Sequence, residues 1–140
     1  MKSILINGLL LTGRYGGVQY SIEYLINALS KTEFEGFKVT ILVSKNYDGL
    51  LKGCANFEIR RVPFDSKNRM IRVLYEHFIL PVYILRSRFD LFHSPAYTLP
   101  FFSRKPSIVT IHDLIALQFP ELCQNETSIY FSTTLARSLK

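Results

Sequence analysis

Three short segments of the 140-residue chain carry groups that could do chemistry, and each follows a predicted strand. Gly16-Gly17 open a helix after the first strand, where backbone N–H groups and the helix dipole suit a phosphate. His112-Asp113 follow the strand residues Ile108, Val109, Thr110 and Ile111 and can donate to or accept from a sugar hydroxyl. His93-Ser94 close another strand in the same way. These pairs are therefore the candidate site residues.

Each of these patterns also has a purely structural interpretation, which the residues leave open. The glycines could form a tight turn that needs positive φ, Asp113 could cap the helical turn that follows it, and His93 could be a structural histidine.

Several other kinds of site are disfavoured by the sequence. Arg14 and Tyr15 stand where a nucleotide P-loop requires Lys and Ser or Thr, and the dinucleotide motif G-x-G-x-x-G is absent. The histidines lack metal-ligand spacing, and there is no G-x-S-x-G elbow of a serine hydrolase. We therefore predict no metal site.

Apolar strands alternate with helical segments along the chain. The predicted strands are residues 3–8, 38–43, 57–62, 90–93 and 107–112. The first predicted helical segment begins at Gly16, and the other three cover residues 68–88, 113–117 and 127–140. This alternation predicts an α/β fold, a Rossmann-like parallel sheet with helices on both faces, whose strand ends share one rim. The charged third strand is expected near an edge.

Two of the helical segments have informative patterns. In the first, Ile22, Ile26 and Leu29 lie on one face, with Glu23 among the polar residues opposite. The segment 68–88 is apolar with arginines near its ends, and Pro81 must kink or split it. Its exterior would suit an anionic bilayer, although a core helix with basic ends is the alternative.

Charge and cysteine content limit the partners and the compartment. The chain has a formal net charge of +6. The basic surplus lies in residues 59–105, which predicts phosphate groups, acidic lipid headgroups or nucleic acid as a partner, or else a solvated basic face. The two cysteines form no disulfide framework, and no apolar run reaches the length of a membrane span. We therefore predict a cytoplasmic protein, peripheral at the inner membrane face at most.

Four segments of the chain resemble the amino-terminal half of glycosyltransferase family 4, the retaining GT-B enzymes, and especially its bacterial mannosyltransferase-like members. They are TGRYGGV at residues 12–18, LYEHFILP at 74–81, DLFHSPAYTLP at 90–100, and VTIHDLI at 109–115 with FPE at 119–121. Their order and spacing fit along essentially the whole chain.

This resemblance implies roles for particular residues. Gly16 and Gly17 would approach the donor diphosphate, His112 would contact the donor sugar, and Asp113 would orient the acceptor or its loop. Four further residues are candidates for the acceptor side: Arg14, His93, Ser94 and Tyr97. The reaction implied is transfer of a hexose from a nucleotide sugar to a glycan or lipid-linked acceptor, with no cofactor and no obligatory metal.

The resemblance also implies a second, donor-binding domain with an E-x7-E signature, which the sequence does not contain. Residues 1–140 are therefore expected to be an amino-terminal domain that is inactive without a carboxyl-terminal domain or partner chain. The alternatives are a non-catalytic binding or assembly module and an unrelated nucleotide-binding protein. Nucleic acid is not an expected partner, since the aromatic-basic signature of known modules is missing.

Overall fold

Five strands alternate with helices in a computed structural model that describes residues 1–13, 16–32, 35–49, 57–123 and 125–138. The strands are β1 (Lys2–Asn7), β2 (Phe37–Val43), β3 (Phe57–Arg61), β4 (Leu91–Ser94) and β5 (Ser107–Val109). The helices are α1 (Gly17–Ser30), α2 (Arg69–Leu74), α3 (Leu80–Arg86), α4 (Ile115–Gln118) and α5 (Asn125–Ser138). A π-helical turn, Tyr75–Ile79, joins α2 to α3, and a 3-10 turn, Pro120–Leu122, precedes α5.

All strand pairs in the sheet are parallel, in the order β3-β2-β1-β4-β5. The register places Ile4 of β1 between Val39 of β2 and Leu91 of β4. The predicted α/β fold is confirmed, and among the described strands β3 has the edge position that was predicted for it. Because every strand runs the same way, the ends of β1, β4 and β5 lie side by side on one rim of the sheet.

Helices cover both faces of the sheet because side chains alternate along each strand. On one face Ile6 packs with Ile22 and Ile26 of α1. On the other face Leu5 packs with Leu80 and Ile84 of α3. Glu23, predicted on the outer face of α1, is instead buried, where it accepts a hydrogen bond from the Tyr47 hydroxyl.

The segment from Arg69 to Arg86 is one helical stretch whose regular winding is interrupted before Pro81. The Leu80 amide donates to the Tyr75 carbonyl, five residues back, which is the π-helical pattern. A proline ring would clash with the carbonyl four residues before it in a regular α-helix, and the wider π turn relieves that clash. The predicted effect of Pro81 therefore takes the form of a wider turn.

The last strand is shorter than the sequence suggests. The pattern predicted a strand over residues 107–112, but β5 ends at Val109. The Thr110 amide still donates to the Ser94 carbonyl at 2.9 Å, whereas the Thr110 carbonyl accepts from the Tyr97 amide at 2.8 Å. The chain turns there, and residues 110–114 become a loop at the rim of the sheet.

Candidate functional site

A cavity of about 260 Å³ lies at the rim where β1 and β4 end. Its walls come from the end of β1, the helical stretch from α2 into the π turn, the segment after β4, and α5. The lining residues are Asn7, Leu10, Arg69, Arg72, Val73, Glu76, Ala96, Tyr97, Thr98, Tyr130 and Phe131. We call this space the rim cavity.

Glu76 is the acidic side chain of the rim cavity, and Asn7 positions it. The Asn7 side-chain amide donates to Glu76 Oε1 at 3.0 Å, while Asn7 Oδ1 accepts from the Leu9 amide at 3.1 Å. Removal of the carboxyl from bulk water raises the pKa of Glu76, although the Asn7 hydrogen bond and the charge of Arg72 act in the opposite direction. The net direction is a raised pKa, and in either protonation state the carboxyl group can accept a hydrogen bond from a ligand hydroxyl.

Two guanidinium groups stand on the same wall of the rim cavity. Arg72 Nη1 donates to the Ser66 carbonyl at 3.0 Å, which fixes the side chain. The Arg69 guanidinium carbon lies 5.9 Å from the centre of the Tyr130 ring, within the range of a cation–π contact. The cavity thus combines groups that can bind hydroxyls, an anion and an apolar ring face.

Tyr97 separates the rim cavity from a smaller neighbouring cavity of about 230 Å³, and it lines both. Its φ of 56° is in the left-handed region, which costs a non-glycine residue free energy and persists where the surroundings fix it. The Tyr97 hydroxyl donates to Asp113 Oδ2 at 2.7 Å. Burial and, secondarily, this carboxylate raise the pKa of Tyr97, so the phenol stays protonated.

His112 lies beside Tyr97 on the loop after β5 and is half-buried. Its Nε2 is 2.9 Å from the Pro95 carbonyl, and because a carbonyl can only accept, Nε2 carries the proton. In the neutral ring Nδ1 is then the hydrogen-bond acceptor. The ring meets Tyr97 edge-on, with centroids 5.4 Å apart. Loop and rings together fix the orientation of this imidazole.

Asp113 is exposed, and both its carboxylate oxygens have partners in the chain. Oδ2 accepts from Tyr97, and Oδ1 accepts from the Ile115 amide at 3.0 Å, at the start of α4. Asp113 thus bonds to the first residue of α4, the helical turn that the sequence alternative had it cap, although the N-cap position itself is Leu114. This bond holds the loop of His112 in place and leaves the carboxylate at the edge of the smaller cavity.

The glycine pair lies at the start of α1, and neither glycine is among the residues that line the rim cavity or the smaller cavity. Gly16 is extended (φ −141°, ψ 165°), and positive φ occurs at Gly13 instead, so a turn does not explain the pair. A Cβ built at Gly16 or Gly17 would meet no heavy atom within 4 Å among the described residues. The first turn of α1, which is fully described, has no acidic side chain. As far as the described residues go, the helix start is thus open to an anion.

The other acceptor-side candidates are placed differently. His93 Nε2 is 3.1 Å from Thr110 Oγ1, and the side chain lines an apolar cavity of about 330 Å³ on the α1 face of the sheet. Ser94 is buried, 2% exposed. Tyr97 is the member of this set that the structure brings into the rim cavity. Arg14 lies outside the described residues.

Sequence reasoning missed several residues of the rim cavity. Asn7 was assigned to the interior of the first strand, and Glu76 to an apolar helix. A usable signal was present, since Glu76 is the single acidic residue between Asp65 and Asp90 in the sequence. A lone carboxylate in an apolar helix indicates a specific partner or ligand, because an unpaired buried charge is costly.

A parallel α/β sheet with cavities along the carboxyl ends of its strands defines a Rossmann-like protein, the class in which ligands bind at this rim. The family model of glycosyltransferase family 4 matches residues 15–140. The chain therefore belongs to glycosyltransferase family 4. No curated protein and no solved structure matches the chain.

Proposed function

We propose that this chain is the acceptor-binding half of a retaining GT-B glycosyltransferase, which transfers a mannose-like hexose from a nucleotide sugar to a glycan or lipid-linked acceptor. The rim cavity is the observation that carries the proposal. It places one carboxylate, one amide, two guanidinium groups and two tyrosine rings around a space of about 260 Å³. Sugars are bound by such groups, because their hydroxyls need hydrogen-bond partners and their apolar faces pack on aromatic rings.

On the acceptor side, Glu76 accepts a hydrogen bond from the attacking hydroxyl and Asn7 keeps the carboxylate in position. Arg69 and Arg72 neutralise an anionic group next to that sugar, such as the phosphate of a lipid-linked acceptor. The rings of Tyr97 and Tyr130 form the apolar part of the site. Support for these roles comes from the lining of the cavity and from the 3.0 Å bond between Asn7 and Glu76.

On the donor side, the amides at Gly16 and Gly17 face the diphosphate, and His112 orients the sugar near its reacting carbon. The leaving diphosphate takes the proton of the acceptor hydroxyl, so this half of the enzyme needs no strong base. Asp113 acts through Tyr97 and the loop of His112, as its two hydrogen bonds suggest. A second Rossmann-like domain, in the same chain or a partner chain, completes the donor site, because catalysis needs groups from both sides in register.

The proposed location is the cytoplasm, with an anionic membrane surface as the place where a lipid-linked acceptor is met. No helix in the described parts of the chain is both long enough and apolar enough to cross a bilayer.

The test is a binding measurement on an array of mannose-containing glycans and glycosyl phosphates, using the full chain, Glu76→Gln, and Glu121→Gln as the control. Glu121 is exposed and lies outside the rim cavity. Replacing one carboxyl oxygen of Glu76 by an NH2 group removes a hydrogen-bond acceptor, so Glu76→Gln should weaken binding about tenfold and leave the control unchanged. Equal binding by both variants would refute the assignment of Glu76.

A transfer assay tests the division of labour between two domains. The chain alone is incubated with nucleotide sugar and the bound glycan, and then again with a supplied carboxyl-terminal family 4 domain. We expect transfer in the second case and not in the first. Normal rates of transfer by the isolated chain would show that the proposed division is wrong.

A further inference from the structure

The outer face of the helical stretch from α2 to α3 is apolar and exposed. Five residues follow one another along it at helical spacing, and we call them the outer stripe: Ile71 (44% exposed), Leu74 (50%), Phe78 (58%), Val82 (44%) and Leu85 (45%). Met70 and Ile79 are exposed beside them. No part of the described chain covers this face.

A helix packed on a sheet normally turns polar residues to the outside. Here the inner face is already apolar, since Leu80 and Ile84 are fully buried against the sheet. The outer stripe therefore lies outside the core that the described residues form. A contiguous exposed apolar patch of this kind is typical of a surface that meets another apolar phase or a partner.

The charges around the outer stripe identify the occupant. Lys67 and Arg69 lie exposed at one end of the stripe, and Arg86 and Arg88 at the other. Glu76, the one acidic residue in this part of the sequence, is turned away to Asn7. A second copy of the chain is disfavoured because pairing two stripes in either direction would bring basic ends together. An apolar strip with basic ends fits an anionic bilayer surface.

We propose that the outer stripe lies in the plane of an anionic lipid surface, with Phe78 at its centre and the arginines at headgroup level. From Met70 to Leu85 the contact is about 24 Å long at the helical rise per residue. This inference deepens the proposed function, on which its biological meaning rests. Arg69 and Arg72 line the rim cavity on the same helical stretch, so a lipid-linked acceptor reaches the cavity without leaving the interface.

The experiment is co-sedimentation of the full chain with phosphatidylcholine vesicles, with and without phosphatidylglycerol, in the absence of any sugar donor or acceptor. We expect binding to the anionic vesicles that weakens with added salt. Phe78→Gln with Val82→Gln should reduce partitioning at least tenfold. Arg86→Gln with Arg88→Gln should reduce it about fivefold for each arginine removed and flatten the salt dependence.

The matched control is Leu122→Gln with Ile129→Gln, because these side chains are exposed elsewhere on the chain. It should bind vesicles as the unsubstituted chain does, and circular dichroism should show that all three variants are folded. The proposal is overturned if the chain ignores anionic vesicles or if the Phe78 and Val82 variant binds them equally well. Concentration-dependent dimerisation that this variant abolishes would also overturn it and assign the stripe to a second copy. Since no sugar is present, each result is independent of the proposed transfer reaction.

Discussion

His77 is a buried histidine, 2% exposed, in contact with aromatic rings. Its ring stacks on Phe101 with centroids 4.0 Å apart, and its Nε2 lies 3.0 Å from the Tyr130 hydroxyl. Its Nδ1 is buried without a hydrogen-bond partner in the described part of the chain. Burial lowers the pKa of His77 from 6.5 to about 4, so the folded protein holds this imidazole neutral at physiological pH.

This burial predicts an acid-dependent loss of stability. Below pH 6.5 the unfolded chain takes up a proton at His77 that the folded chain does not accept until about pH 4. The contribution of His77 is therefore complete above pH 6.5 and falls by up to about 3 kcal/mol on acidification to pH 4. His77→Phe keeps the ring packing and should lose this part of the pH dependence in urea denaturation curves.

A smaller acid dependence should remain in His77→Phe, because burial also lowers the pKa of His93. Unchanged acid sensitivity of the variant would show that His77 titrates normally in the folded protein.

At this scale the sequence indicated Tyr97 and the loop of His112, because residues that directly follow strands of a parallel sheet must lie at its rim. It did not indicate the contact between Asn7 and Glu76, which are 69 positions apart. That contact depends on how the long helical stretch crosses the sheet. The burial of Glu23 was missed for a similar reason, since its partner Tyr47 follows β2 and is 24 positions away along the chain.

Substitutions on the two faces of the helical stretch from α2 to α3 test which face is buried. Ile84 is fully buried against the sheet, whereas its neighbour Leu85 is 45% exposed on the outer stripe. We expect Ile84→Ala to lower the free energy of unfolding by about 2–5 kcal/mol and Leu85→Ala to change it by less than about 0.5 kcal/mol. Equal losses in thermal or urea unfolding would mean that the outer stripe is covered in solution.

The type of each element was more predictable than its limits. Apolar periodicity identified α1 and the central strands, and the proline marked an interruption. The pattern did not show the π-helical form of that interruption, because the i to i+5 bond at Leu80 depends on the local clash geometry. The early end of β5 could not be predicted from the sequence either. Thr110 and Ile111 have side chains typical of strands, but their backbone belongs to the loop at the rim.

For the whole molecule, the order of the strands predicts where the fold is most resistant to opening. β1 lies between β2 and β4, and β3 and β5 are the edges among the described strands. In hydrogen exchange followed by mass spectrometry, amides of β1 and β2 should exchange slowest, and those of the three-residue β5 fastest among the strands. Protection of β5 equal to that of β1 would show that another segment covers this edge.

The π turn also fixes how many residues the chain must have between α2 and α3. It contains one residue more per turn than the regular winding on either side. Deleting a single residue between Tyr75 and Ile79 would restore regular winding and rotate α2 by about 100° relative to α3. Arg69 and Arg72 would then swing away from the strand ends, although neither arginine had been altered. Single-residue insertions and deletions in this turn should therefore be more damaging to ligand binding than most point substitutions there.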